Sequence, residues 1–169
     1  MRNALIFTML VMAFSLTACG FRPLYGEPSQ QQQSAAAELS NVRIGNIPDR
    51  EGQYLRNALI DRFYQHGYPQ NPRYTLEVSP VVETRTDLDV TKTADTTRSQ
   101  LKLRTTIVLR DTFDSKTVLK RDLLAVTSYN TLQSQYTTRV SEENTRLNAL
   151  DDLARQIELQ LSLYFQRDN

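Results

Sequence analysis

The sequence predicts an α+β fold, a two-layer sandwich with two helices on one face of a four-stranded mixed β-sheet in the order β-α-β-β-β-α. Three observations carry this expectation. Two segments place apolar residues at three- and four-residue steps, and several others alternate apolar with polar residues. A content of 40% hydrophobic and 23% charged residues over 169 positions suits one compact domain.

The first nineteen residues, MRNALIFTMLVMAFSLTAC, carry one cation at Arg2, an apolar run from Ala4 to Leu16 and small residues leading to Cys19. This pattern predicts an export signal over residues 1–18, because the run is short for a permanent membrane span. Gly20 to Ala37, with Pro23, Pro28 and the Gln30–Gln33 run, has no amphipathic period and predicts a flexible tether over 19–38. Within it, Phe21, Leu24 and Tyr25 are apolar enough to dock locally. The domain itself is expected over 39–169.

Val42 and Ile44 alternate with Asn41 and Arg43, which predicts a first strand over 40–46. Pro48-Asp49 offers a helix start, and Leu55, Ala58, Leu59 and Phe63 follow at helical spacing until Gly67, predicting a helix over about 50–65. Tyr74, Leu76 and Val78 then alternate up to Pro80, which suggests a bulge or an edge. The stretch 84–97 reads as a polar loop. Leu101, Leu103, Thr105, Ile107 and Leu109 alternate with Lys102, Arg104 and Arg110, and Asp111–Lys116 supply a turn. In the β-rich segment 118–129, Leu119/Leu123/Ala125 and Val118/Leu124/Val126 compete for the inward face, so the register stays open or a bulge intervenes. The last helix is the clearest: Leu147, Leu150, Leu153, Ala154, Ile157, Leu161, Tyr164 and Phe165 form one apolar face, with Thr138 or Ser141 as candidate caps and Glu142 and Glu143 near the positive end.

Composition excludes many activities. One Cys and one His leave no disulfide, cysteine cluster or multi-histidine metal site within the chain, and five Gly supply no phosphate loop or nucleophile elbow. No cofactor, metal or catalytic residue is expected. His66, beside Gly67, suits a helix end better than catalysis, and Asp87, Asp89 and Asp95 suit a solvated turn better than a calcium loop. The net charge of +1 argues against a global field that would attract nucleic acid. Lys102 and Arg104, two apart on one strand, share a face, and one of Lys120 and Arg121 should join them. That face either keeps a sheet soluble or recognises an anion.

Leu16-Thr17-Ala18-Cys19 resembles the lipobox of bacterial lipoproteins, which implies acylation of Cys19, and Gly20 after it resembles outer-membrane sorting. The chain further resembles the lipopolysaccharide-assembly lipoprotein family LptE of the alphaproteobacterial type. The residues that carry the likeness are Leu16 to Gly26, Ile47-Pro-Asp-Arg50-Glu-Gly-Gln-Tyr-Leu55-Arg-Asn57, Thr97-Arg98, Ser128-Tyr129-Asn130 and the helix Leu150 to Phe165. The resemblance implies no enzymatic activity, a one-to-one partner in the LptD β-barrel that the lipoprotein plugs and helps assemble, and lipopolysaccharide as cargo. It implies a lipid-anchored place at the outer membrane, on the periplasmic side within the barrel lumen. Lys102, Arg104, Arg98, Lys120 and Arg121 are the candidate contacts to lipopolysaccharide phosphates, with Arg85 and Lys92 next. The alternative is an accessory lipoprotein of another envelope machine, either barrel insertion or a lipid transporter.

Overall fold

A computed structural model describes residues 30–65, 67–90, 96–131 and 134–167. In chain order these form α1 (Gln30–Ser40), β1 (Val42–Ile44), α2 (Asp49–Phe63), β2 (Tyr74–Val78), β3 (Val82–Val90), β4 (Thr96–Asp111), β5 (Thr117–Asn130) and α3 (Gln135–Arg167). The α+β class and the mixed sheet with helices on one side are as the sequence predicts. Among the described residues there is one strand and one helix more than expected. The strand β3 occupies the first half of the stretch read as a polar loop, and α1 occupies the end of the segment read as a coil. Both escape pattern reading for physical reasons. Glu83, Arg85 and Asp87 make the inward side of β3 charged, and α1 reaches the core through Ala35 and Leu39, after a glutamine run with no apolar period.

β4 organises the sheet. One of its edges pairs along its length with β5; the other pairs first with β3, over 96–104, and then with β2, over 107–111. β1 lies beyond β2 and runs parallel to it. Thus β2 and β3 are successive pieces of one column, interrupted at Pro80, which has no N–H to give to a ladder. The interruption is satisfied locally: Ser79 N–H donates to Thr106 O (2.9 Å), and the buried Thr105 hydroxyl donates to Ser79 O (2.8 Å). A threonine in an otherwise aliphatic row is therefore a hydrogen-bond donor to the carbonyl at the break.

The open register of the fifth strand is decided by a bulge. Leu109 pairs with Leu119 and Arg110 with Thr117, so Val118 is the extra residue. From Leu119 onward a single register turns Leu119, Leu123, Ala125 and Tyr129 inward. Leu124 and Val126 consequently face away from the helices.

α2 and α3 run in the same direction across the inner face, as the pairs Arg50–Glu143 and Arg62–Glu158 (3.0 Å) require. Helix α2 starts at Asp49 with Pro48 as N-cap, and no side chain caps it. Its tight entry depends on Gly52, where a Cβ would lie 2.7 Å from Ile47 Cγ2. Gly67, after the helix, has φ +102°, the left-handed geometry expected there. Helix α3 begins earlier than Thr138 or Ser141; Ser134 precedes it, and its carbonyl accepts from Thr138 N–H (3.1 Å). Leu55, Leu59, Leu76, Leu101, Leu103, Ile107, Leu109, Leu150, Leu153, Ile157 and Leu161 form the fully buried centre. Among the described residues no helix is long and apolar enough to cross a membrane.

Candidate ligand face

Alternation along β4 sends Leu101, Leu103, Thr105, Ile107 and Leu109 into the core and Lys102, Arg104, Thr106, Val108 and Arg110 to the opposite face. The register with the neighbouring strands then fixes what surrounds each cation. Arg104 lies between Val82 of β3 and Leu124 of β5, and Lys102 lies between Thr84 and Val126. Lys120 pairs with Val108 on the same face, so it is the member of the Lys120/Arg121 pair that joins the cations. Arg98 reaches this face too, where its guanidinium donates to Ser128 Oγ (2.9 Å).

Four of the five predicted ligand residues, Arg98, Lys102, Arg104 and Lys120, therefore share one surface. Arg121 does not: it pairs with the core residue Ile107, points to the helix side of the sheet, and donates to Lys120 O (2.8 Å). Arg85 is displaced in the same way. It lies over the Tyr129 ring at 5.6 Å and within 3.7 Å of Glu142, both on the helix side. Cys19, His66, Lys92 and Asp95 lie outside the described residues.

Among the described residues, Lys102, Arg104 and Lys120 take part in no ion pair, whereas Arg110 on the same face is neutralised by Glu77 at 3.0 Å. Asp122 is engaged by the Thr106 hydroxyl, which donates to it at 2.6 Å. Beside these cations three aliphatic side chains stand in solvent: Val82 is 61% exposed, Val126 50% and Leu124 41%. These are the residues that sequence reasoning missed as part of the site. Their signal was present in the second apolar set of β5, Leu124 and Val126, which has no place in the core. A recess of about 370 Å³ beside Arg104, Asp122 and Leu124 is open and shallow, so a ligand here would lie on the sheet rather than inside it.

The other polar concentration lies on the helix side, at the end of the sheet built from β3 and the start of β4. Arg146 bridges Glu83 (2.7 Å), Glu142 (2.9 Å) and Glu143. The hydrogen bond to Glu83 holds its guanidinium pKa above the ordinary arginine range, against the opposing effect of burial. The Tyr129 hydroxyl donates to Glu142 (3.2 Å), and burial first, then the Glu142 charge, pushes its pKa up. Buried Ser99 donates to Asp87 (2.8 Å). Every member of this cluster is satisfied by a protein partner, which makes it a clasp between α3 and β3 rather than an open site. Among the described residues no group of three His, Cys, Asp or Glu side chains could hold a metal ion.

Helices packed on one side of a mixed sheet define a small two-layer α+β domain. Solved structures with this fold include three that are similar to the chain. A Caulobacter crescentus CB15 protein assigned as a lipoprotein is 18% identical, with 79% of this chain and 97% of that one covered at a TM-score of 0.61. The minor lipoprotein of Acinetobacter baumannii is 22% identical, with coverage of 73% and 92% and a TM-score of 0.55. The rare lipoprotein B of Shewanella oneidensis is 10% identical, with coverage of 70% and 89% and a TM-score of 0.54. No curated protein sequence matches the chain. Residues 39–161 match the family LptE, lipopolysaccharide-assembly, and the chain belongs to that family. It is a lipopolysaccharide-assembly lipoprotein family of the Gram-negative envelope.

Proposed function

We propose that this protein is the lipid-anchored subunit of an outer-membrane lipopolysaccharide translocon, which plugs the LptD β-barrel one-to-one, helps it assemble, and binds lipopolysaccharide on the outer face of its sheet. Acylation of Cys19 supplies the anchor, and the mature chain starts there. The observation that carries the ligand reading is the pattern on that face: Arg98, Lys102, Arg104 and Lys120 interleaved with exposed Val82, Leu124 and Val126. Keeping a sheet soluble requires charge but not exposed aliphatic side chains at 41–61% accessibility. An amphiphile with phosphates beside acyl chains requires both. Cations without carboxylate partners keep their full capacity to accept a phosphate. The barrel partner rests on family membership, and it is supported by a mixed-charge surface suited to a polar, wet lumen.

The test is the double substitution Lys102→Glu/Arg104→Glu in the full chain. Lipopolysaccharide binding should fall markedly and more so at low salt, while the thermal midpoint and LptD co-purification stay near wild type. Undiminished binding by the folded variant would remove this face from the function. Co-purification with a different envelope machine and not with LptD would overturn the partner.

A further inference from the structure

The β4–β5 hairpin carries an aromatic side chain at its tip that neither the core nor the ligand face uses. Phe113 is 89% exposed, the most exposed large apolar residue among those described. Its turn is nevertheless closely held. Phe113 N–H donates to Asp111 Oδ1 (2.8 Å), Lys116 N–H to Asp114 Oδ1 (2.9 Å), and Asp111 N–H to Lys116 O (3.0 Å). Thr112 N–H donates to Arg73 O (2.8 Å), which ties the turn to the segment before β2. A turn fixed in this way presents its ring with little conformational freedom left to lose on contact, which favours binding.

Other apolar and basic groups gather at the same end. Tyr74 pairs with Asp111 and its ring lies 6.4 Å from Tyr164 and 5.3 Å from Phe165, so the last turn of α3 is adjacent. That turn carries half-exposed Leu163 and exposed Arg167. The ring of Tyr68, 64% exposed, lies tilted 4.9 Å from that of Tyr64, whose hydroxyl donates to Val42 O, and Val42 pairs with Tyr74. The cations here are Lys116, Arg167 and Arg73, which lies 3.8 Å from Asp111, while Asp111 and Asp114 each accept from one of the turn's own N–H groups. α1 also finishes at this end, where Ser40 leads into Val42. Ten residues, 20–29, separate α1 from the expected anchor at Cys19, and they reach at most roughly 35 Å.

We propose that this end is a membrane-contacting tip: the tethered domain rests on the phospholipid surface with the Phe113 ring in the headgroup–acyl boundary and Tyr68, Arg73, Lys116 and Arg167 around it. Aromatic rings with flanking cations are the side chains that favour that boundary. The tip leans on the acylation of Cys19 for its biological setting and not on the LptD reading, so the experiment supplies the anchor artificially. Because the chain contains no tryptophan and one cysteine, both probes are clean. The chain from residue 19 onward is coupled through the Cys19 thiol to a maleimide lipid in phosphatidylethanolamine/phosphatidylglycerol vesicles, as Phe113→Trp or as Tyr136→Trp. Tyr136, 79% exposed at the opposite end of α3, is the control. Emission from Phe113→Trp should shift to the blue and lose intensity with lipids brominated near the carbonyl, and Tyr136→Trp should do neither. Equal quenching at both positions, or at neither, overturns the proposal.

Discussion

The two ends of α3 rest on the same sheet and are held there by different physics. From Ala149 to Phe165 the helix contributes Ala149, Leu150, Leu153, Ala154, Ile157, Leu161 and Phe165 to a continuous apolar core against β2, β4 and β5. Before Ala149 it is held by charge: Arg146 to Glu83, Glu142 and Glu143, Arg85 to Glu142, and Arg50 to Glu143 at 2.9 Å. Apolar burial is strong and indifferent to salt; a half-exposed ionic clasp is directional, weaker and screened. One end therefore supplies stability, and the other fixes where α3 lies over β3. The apolar end lies beside the aromatic tip of the β4–β5 hairpin, and the clasped end borders the strand β3 that sequence patterning did not reveal.

The sharpest way to break this contrast is to cut into the apolar end. Leu150→Ala or Ile157→Ala, each at a site no more than 1% exposed, should cost roughly 2–5 kcal/mol in denaturant unfolding. A loss near zero at both sites would mean that α3 does not carry the core.

Next in size is Arg146→Met, which takes the shared cation from Glu83, Glu142 and Glu143 and leaves Arg85 beside Glu142 and Arg50 beside Glu143. With the Arg146 side chain 17% exposed, the loss should be about 2 kcal/mol, below the roughly 3–5 kcal/mol of a fully buried pair. The loss should also shrink as salt is raised. A salt-independent loss as large as that of Leu150→Ala would erase the distinction between the two ends. A double-mutant cycle with Glu83→Gln should return a coupling that accounts for much of the effect, because Glu83 is the partner contributed by the sheet.

The smallest effect is a pH slope. Burial and Glu142 raise the Tyr129 phenol above its ordinary value near 10, so the folded state favours the protonated form. Its contribution is complete below about pH 10 and is lost as pH rises through the folded pKa. Wild type should therefore lose thermal stability more steeply above pH 10 than Tyr129→Phe. Parallel curves for the two proteins would show that the hydroxyl is not held in the clasp.

How much could be read from the chain differs along the same division. Where residues face an apolar core on one side and water on the other, the period is clear: β4, α2 and the second half of α3 are each legible because Leu101 to Leu109, Leu55 to Phe63 and Leu150 to Phe165 keep strict spacing. β3 is not legible, since Glu83, Arg85 and Asp87 occupy its inward positions and are matched by Arg146, Glu142 and Ser99 from distant segments. The candidate site divides likewise. The shared face of Lys102 and Arg104 follows from their spacing on one strand, whereas the choice between Lys120 and Arg121 depends on the bulge at Val118.

The sequence by itself determined the α+β class, the apolar faces of the main elements, the lipobox-like motif ending at Cys19 and the family likeness, because each resides in local spacing or a short motif. Only the tertiary structure decided that β2 and β3 form one broken column against β4. It also decided which way β5 turns its two apolar sets and that Val82, Leu124 and Val126 stand beside the cations. Those facts are registers between strands many residues apart, and a one-residue slip in a strand exchanges its two faces. Register is set by how the whole sheet packs against α2 and α3, so no window of sequence contains it.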